Sequence, residues 1–174
     1  DAEVLYENGS IVKERTPFGG AASGEWLSVA WAVPPSMADR EHVVLKIKLN
    51  CYDVDYFSNG IELSPWWLEI PHDDVIFPSG QWSMHVDEQI KIDTVLPEIH
   101  DAIEKYSKLI PLGLYISGHT DTMGDAASNK TLARQRAATI AKYLKKVGVG
   151  VSIYFRGTGE EELAVPTGDN VDEP

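Results

Sequence analysis

The chain is nearly devoid of cysteine: among 174 residues only Cys51 carries a thiol. One thiol closes no loop, so a disulfide framework is excluded, and at this length a core can form without staples. No apolar run approaches the about 20 residues needed to cross a bilayer. The opening Asp1-Ala2-Glu3 lacks the basic and then apolar pattern of a secretory leader. Any leader, lipid anchor or transmembrane tether is therefore expected in segments outside this chain. Basic residues are scarce, 15 against 27 acidic ones, for a formal charge of -12 and a pI near 4.7. A field of that sign repels phosphate backbones and anionic headgroups, which argues against nucleic acid as a partner. No G-x-S-x-G elbow is present, and there is no internal repeat or low-complexity tract.

What is present divides in two. Up to about residue 71 the pattern has period two. Val43, Leu45, Ile47, Leu49 and Cys51 alternate with polar or smaller neighbours as a half-buried strand, with Cys51 as a small core hydrophobe. Leu27, Val29, Trp31 and Val33 suggest another strand, stopped by Pro34-Pro35. Ser58-Asn59-Gly60 reads as a turn before a third, Ile61 to Ile70, which Pro65 bends or places at an edge. Residues 1–71 are thus expected to be a small β-rich domain of unassigned role. Trp66-Trp67 fits one ring in a core and one at a rim better than a glycan platform.

From Asp93 the period becomes helical. Leu96, Ile99, Ile103, Tyr106 and Ile110 follow three-and-four spacing, and Pro97 is tolerable if it falls in the first turn. A strand over Leu112–Ser117 closes at Gly118, a second helix runs from about Lys130 to Val147 with Asn129 as its cap, and Val151–Phe155 forms a further strand. Residues 72–174 are accordingly expected to be an α/β domain with helices packed on a sheet. Of the charge, 13 acidic and 5 basic residues fall in 1–74, against 14 and 10 in the remainder, so the second part is the better candidate for holding an anionic group.

On a helical wheel Arg136 falls inside the apolar stripe formed by Leu132, Ala133, Ile140, Tyr143, Leu144 and Val147, whereas Arg134, Lys142, Lys145 and Lys146 lie opposite. A guanidinium so placed needs an anion to offset its desolvation. The loop feeding the helix, Gly118-His119-Thr120-Asp121-Thr122-Met123-Gly124, leaves the carboxyl end of a strand, where α/β sheets hold ligands. Exposed N–H groups at the helix start would add attraction for a carboxylate. On pattern alone, an intrachain Asp121–Arg136 ion pair and a ligand site remain equally open. His119 and Asp121 have H-x-D spacing without a third ligand, so neither a metal nor another cofactor is expected.

Gly118-His119-Thr120-Asp121, Gly124, and Asn129-x-x-Leu132-x-x-x-Arg136-Ala137 together resemble the signature of the OmpA-like peptidoglycan-associated family. Val75-Ile76-Phe77-Pro78-Ser79-Gly80 looks like that family's first strand and turn, in the form of its stator and secretion-system members. Gly157-Thr158-Gly159-Glu160 looks like its G-x-G-E turn. The resemblance spans about residues 74–174. It implies a non-catalytic βαβαβ module with a mixed sheet that holds the peptidoglycan stem peptide and anchors an outer-membrane or envelope complex in the periplasm of a Gram-negative bacterium. The aspartate and arginine of the signature, here Asp121 and Arg136, would hold the ammonium and carboxylate at the free end of meso-diaminopimelate. Thr120, Asn129 and Leu132 match positions that shape the same pocket. Two departures stand out: Ala133 replaces the usual serine, and the chain stops at Pro174, before the family's Asn-Arg-Arg-containing last strand. The competing reading is the same fold as a protein interaction module of an envelope assembly, without glycan binding. A metal-dependent hydrolase is the third.

Overall fold

In the computed structural model, residues 1–22, 24–33, 42–120 and 125–159 are described. The chain falls into two compact units, residues 1–69 and 70–174.

The first unit is a four-stranded antiparallel sheet of β1 (Ala2–Tyr6), β2 (Ile11–Glu14), β3 (Val44–Tyr52) and β4 (Ser58–Leu63) in the order β2-β1-β3-β4. β1 is its centre, pairing Val4 with Val12 on one side and Ile47 on the other. Val4 and Tyr6 are buried against Val12, Trp31, Val44 and Ile47. The alternation in β3 is partly realised: Leu45 is fully buried and Ile47 and Leu49 are half-buried, but Val43 and Cys51 are exposed. Cys51 is therefore not a core residue; it sits at the outer end of β3, opposite Asn59 of the edge strand. Residues 27–33 form no strand. β1 occupies the partner edge of β3, and Trp31 meets the sheet through its side chain, its Nε1 donating to the Tyr6 hydroxyl at 3.0 Å. Ser58-Asn59-Gly60 belongs to β4 instead of a turn. The reversal is Asp53–Phe57, where the Asp53 carboxylate accepts from the N–H groups of Asp55 and Phe57. Trp66 is half-buried and Trp67 exposed.

The second unit runs α1 (Val86–Tyr106), β5 (Gly113–His119), α2 (Ala126–Lys146) and β6 (Ser152–Gly159). β5 and β6 are parallel, joined through α2, as a two-residue turn cannot join parallel strands and a helical crossover can. The α/β class with a β-rich front part is as the sequence implied. Ile92 and Ile99 of α1 share a core with Leu144, Val149, Leu114, Ile116 and Ile153.

Three elements differ in detail. α1 begins seven residues earlier than its periodicity suggests, with Asp87 and Glu88 in the first turn, so Pro97 lies in mid-helix. Val75–Phe77 forms no strand. Its backbone is engaged by α1 instead: Ile76 N–H donates to Glu88 Oε2 at 2.7 Å, and Lys91 Nζ donates to the Asp74 carbonyl at 2.9 Å. Among the described residues the sheet is consequently the parallel pair alone. α2 starts at Ala126, capped by Asp125 and not by Asn129.

Candidate functional site

β5 and β6 end side by side, and their glycines determine how closely α2 can approach. A Cβ on Gly118 would overlap the Ala133 carbonyl oxygen and stand 3.2 Å from the Ala137 Cβ, and one on Gly157 would overlap the Arg134 nitrogen. Gly118 and Gly157 are register partners, so α2 rests on a two-glycine seat. The matching face of α2 is small: Ala133 and Ala137 are fully buried and Ala141 nearly so. Arg136 is thereby displaced from the buried stripe to its half-buried flank. Of the stripe that the wheel suggests, Ala133 and Leu144 are buried, whereas Leu132, Ile140, Tyr143 and Val147 are half-buried.

Beyond the seat the strand ends are zipped together. Thr120 N–H donates to the Gly159 carbonyl at 3.2 Å. The buried Thr158 hydroxyl donates to the Gly118 carbonyl at 3.0 Å and also contacts His119 Nδ1 at 3.0 Å. Thr120 is itself buried, and its Oγ1 has no hydrogen-bond partner among the described residues. Asp121, with residues 122–124, lies outside the described residues.

At the start of α2 the Asp125 carboxylate accepts from Ser128 N–H at 2.9 Å and Ser128 Oγ at 3.1 Å. The Ser128 backbone N–H, and then its hydroxyl, hold the Asp125 carboxyl below the ordinary carboxylate range. This helix end already carries its own anion. The expected attraction of bare N–H groups for a ligand carboxylate is therefore blunted. Asn129, read as the cap, is instead a buried residue of the helix. A better signal was Asp125 with Ser128 three residues on.

Asn129 and the half-buried Leu132 line an open groove of about 620 Å³, with Ser128 and Gln135 from α2 and Gly80 and Trp82 from the preceding segment. One turn along, Arg136 donates from Nε to the Gln81 carbonyl at 3.0 Å and from Nη2 to the Pro78 carbonyl at 3.2 Å. Its guanidinium carbon lies 5.4 Å from the centre of the Phe77 ring. Thr139 adds a bond to the Trp82 carbonyl at 2.8 Å. Of the five anticipated site residues, Asn129 and Leu132 share the groove, Arg136 follows on the same helix, and Thr120 is at the carboxyl end of β5. The part played by Pro78, Gln81 and Trp82 was not foreseen, because backbone carbonyls leave no trace in residue type. Among the described residues no cluster of three or more His, Cys, Asp or Glu is arranged for a metal, and no helix is long and apolar enough to cross a membrane.

A helix seated on paired glycines, with a groove at its start and an arginine beside it, outlines a binding module. Residues 82–174, just over half of the chain, match the model of the OmpA family, and the chain belongs to that family. Its domains are structural binding modules, generally for peptidoglycan, and typically associated with the cell envelope. No curated protein matches the chain. The match begins at Trp82, so the Val75–Gly80 stretch likened to the family's first strand and turn precedes it.

Proposed function

We propose that the second unit holds peptidoglycan non-covalently through the free end of meso-diaminopimelate in the stem peptide, and so anchors an envelope complex to the cell wall. That end is a zwitterion, with an ammonium and a carboxylate on one carbon. Arg136 would pair with the carboxylate and Asp121 with the ammonium, each charge-assisted contact contributing about 1.5–3 kcal/mol before ordering costs. The observation that carries the reading is the setting of Arg136. Its guanidinium is held in place by two neutral carbonyls, next to a groove that Asn129 and Leu132 line. The unpartnered Thr120 hydroxyl, at the strand end leading to Asp121, offers a further polar group.

The reading places the protein in the periplasm of a Gram-negative bacterium, tethered to the outer membrane or envelope. It assigns contact with an envelope protein partner to the first unit. The hairpin tip there displays Val54, Tyr56 and Phe57, all more than three-quarters exposed. Effective affinity for the wall would rise when a tether confines the module beside it.

Co-sedimentation with purified sacculi tests the proposal. Binding to diaminopimelate-type wall that free stem peptide competes away is expected. Wall with lysine at that position keeps the ammonium but lacks the carboxylate, and should not retain the protein. Equal retention by both would refute the role of Arg136. Retention by neither would favour the same fold acting as a protein interaction module.

A further inference from the structure

We infer that the exposed face of α2 beyond the groove is a cationic track, on which Lys142, Lys145 and Lys146 hold free carboxylates of the polymer that carries the stem peptide. This inference rests on the peptidoglycan reading given above, and adds to the single stem-peptide end a second, electrostatic contact with the wall.

Charge in the second unit is segregated by element. α2 carries six basic residues and no acidic one, and neither β5 nor β6 contains an acidic residue. α1 has the opposite composition, six acidic residues against two basic. The formal charge of -12 for the whole chain thus conceals a face of the other sign. Lys142, Lys145 and Lys146 are exposed, and none forms an ion pair among the described residues. Cations in the last turn suit the helix dipole, which accounts for Lys145 and Lys146. It does not account for Lys142, nor for the lack of any acidic partner along the helix.

The lysines also continue the groove. Ser128, Thr131, Gln135, Thr139, Lys142 and Lys146 follow three-and-four spacing and so share one side of α2. The first three of these line the groove, and Thr139 holds the Trp82 carbonyl. Lys142 stands two turns beyond Gln135, about 10 Å along the helix axis. A polymer running on from the groove along α2 meets these lysines next. Each stem carries the α-carboxylate of its γ-linked D-glutamate besides the carboxylates of diaminopimelate, so the wall is a polyanion whose charges recur from stem to stem. Such a polymer is repelled by the acidic surfaces of the chain and drawn to this one. Exposed ion pairs are individually weak, but several made to one tethered ligand reinforce each other. The acidic α1 of a second copy is the other anion at hand, and the continuity of the lysines with the groove favours the wall.

The full chain and a triple variant, Lys142→Gln with Lys145→Gln and Lys146→Gln, test this with two probes: diaminopimelate-type sacculi, and the tripeptide L-Ala-γ-D-Glu-meso-diaminopimelate. Retention of the parent by sacculi should fall as salt rises from roughly 0.05 to 0.3 M, because exposed charges are screened over that range. The triple variant should bind sacculi roughly tenfold more weakly at low salt, the scale of three exposed ion pairs, and its salt dependence should be flatter. Replacing the same lysines by arginine should preserve wall affinity. Calorimetry with the tripeptide, which presents one stem end and no neighbours, should show a loss of roughly twofold or less in the triple variant. A triple variant with the parent's wall affinity and salt profile would overturn the track. So would an equal loss toward tripeptide and sacculi, which would place the lysines in the stem-peptide pocket itself. If sedimentation shows the parent associating with itself at low salt and the triple variant not, while wall affinity is the same in both, the face serves a second copy and the inference is wrong. A parent protein that binds neither sacculi nor tripeptide would instead overturn the peptidoglycan reading, and the track with it.

Discussion

Gly118 of β5 and Gly157 of β6 face each other across the parallel pair, and together they form the surface on which α2 lies. A methyl group at either position would run into the backbone of α2, at Ala133 or at Arg134. Backbone cannot yield as a side-chain tip does. Gly118→Ala and Gly157→Ala are each expected to destabilise the second unit by about 1–3 kcal/mol, as overpacking does elsewhere. Chemical denaturation checks this. The same substitutions should also weaken stem-peptide binding, since they lift the helix that carries Asn129, Leu132 and Arg136.

Pro97 supplies a prediction of opposite sign. It lies exposed in the middle of α1, where it cannot donate to the carbonyl four residues back. Pro97→Ala restores that donor and removes a steric conflict. A gain of about 1–3 kcal/mol is expected, seen as a higher denaturant midpoint with an unchanged slope.

Glu88 ties the start of α1 to the segment before it, and its carboxyl is held below the ordinary range. The Lys91 ammonium contributes most to this shift and the Ile76 N–H next. A carboxyl with a depressed folded-state pKa contributes stability that is complete above its unfolded value near 4.5 and is lost as pH falls through the folded value below it. The protein should therefore lose stability on acidification through that window. Glu88→Gln should flatten part of the decline while lowering stability at neutral pH. Thermal melts across pH 2.5–7 would show whether the two curves converge at the acid end, where the Glu88 carboxyl is protonated in both folded and unfolded chains.

How far these features could be read in advance depended on whether side-chain type encoded them. The period of Leu96, Ile99, Ile103 and Tyr106 announced α1, but Pro97 obscured its start, because a proline is normally tolerated only in the first turn. Val43 to Cys51 announced β3, yet alternation alone did not distinguish the covered middle of that strand from its exposed end at Cys51. β1 and β2 went unrecognised although β1 is central, since five residues such as Ala2–Tyr6 give too short a pattern. At the candidate site, motif spacing was enough to place Asn129, Leu132 and Arg136 on one helix. The carbonyls of Pro78 and Gln81 were not legible, as any residue supplies a carbonyl and only the turn at Gly80 aims them.

The most direct measurement is a calorimetric titration of the full chain and of Arg136→Ala with stem peptide whose diaminopimelate carboxylate is either free or amidated. The parent protein should bind the free acid and lose roughly tenfold or more in affinity for the amide, with Arg136→Ala equally weak toward both, the scale of one charge-assisted contact. Heat of binding that is indifferent to amidation and to the loss of Arg136, or absent from the parent altogether, would contradict the account.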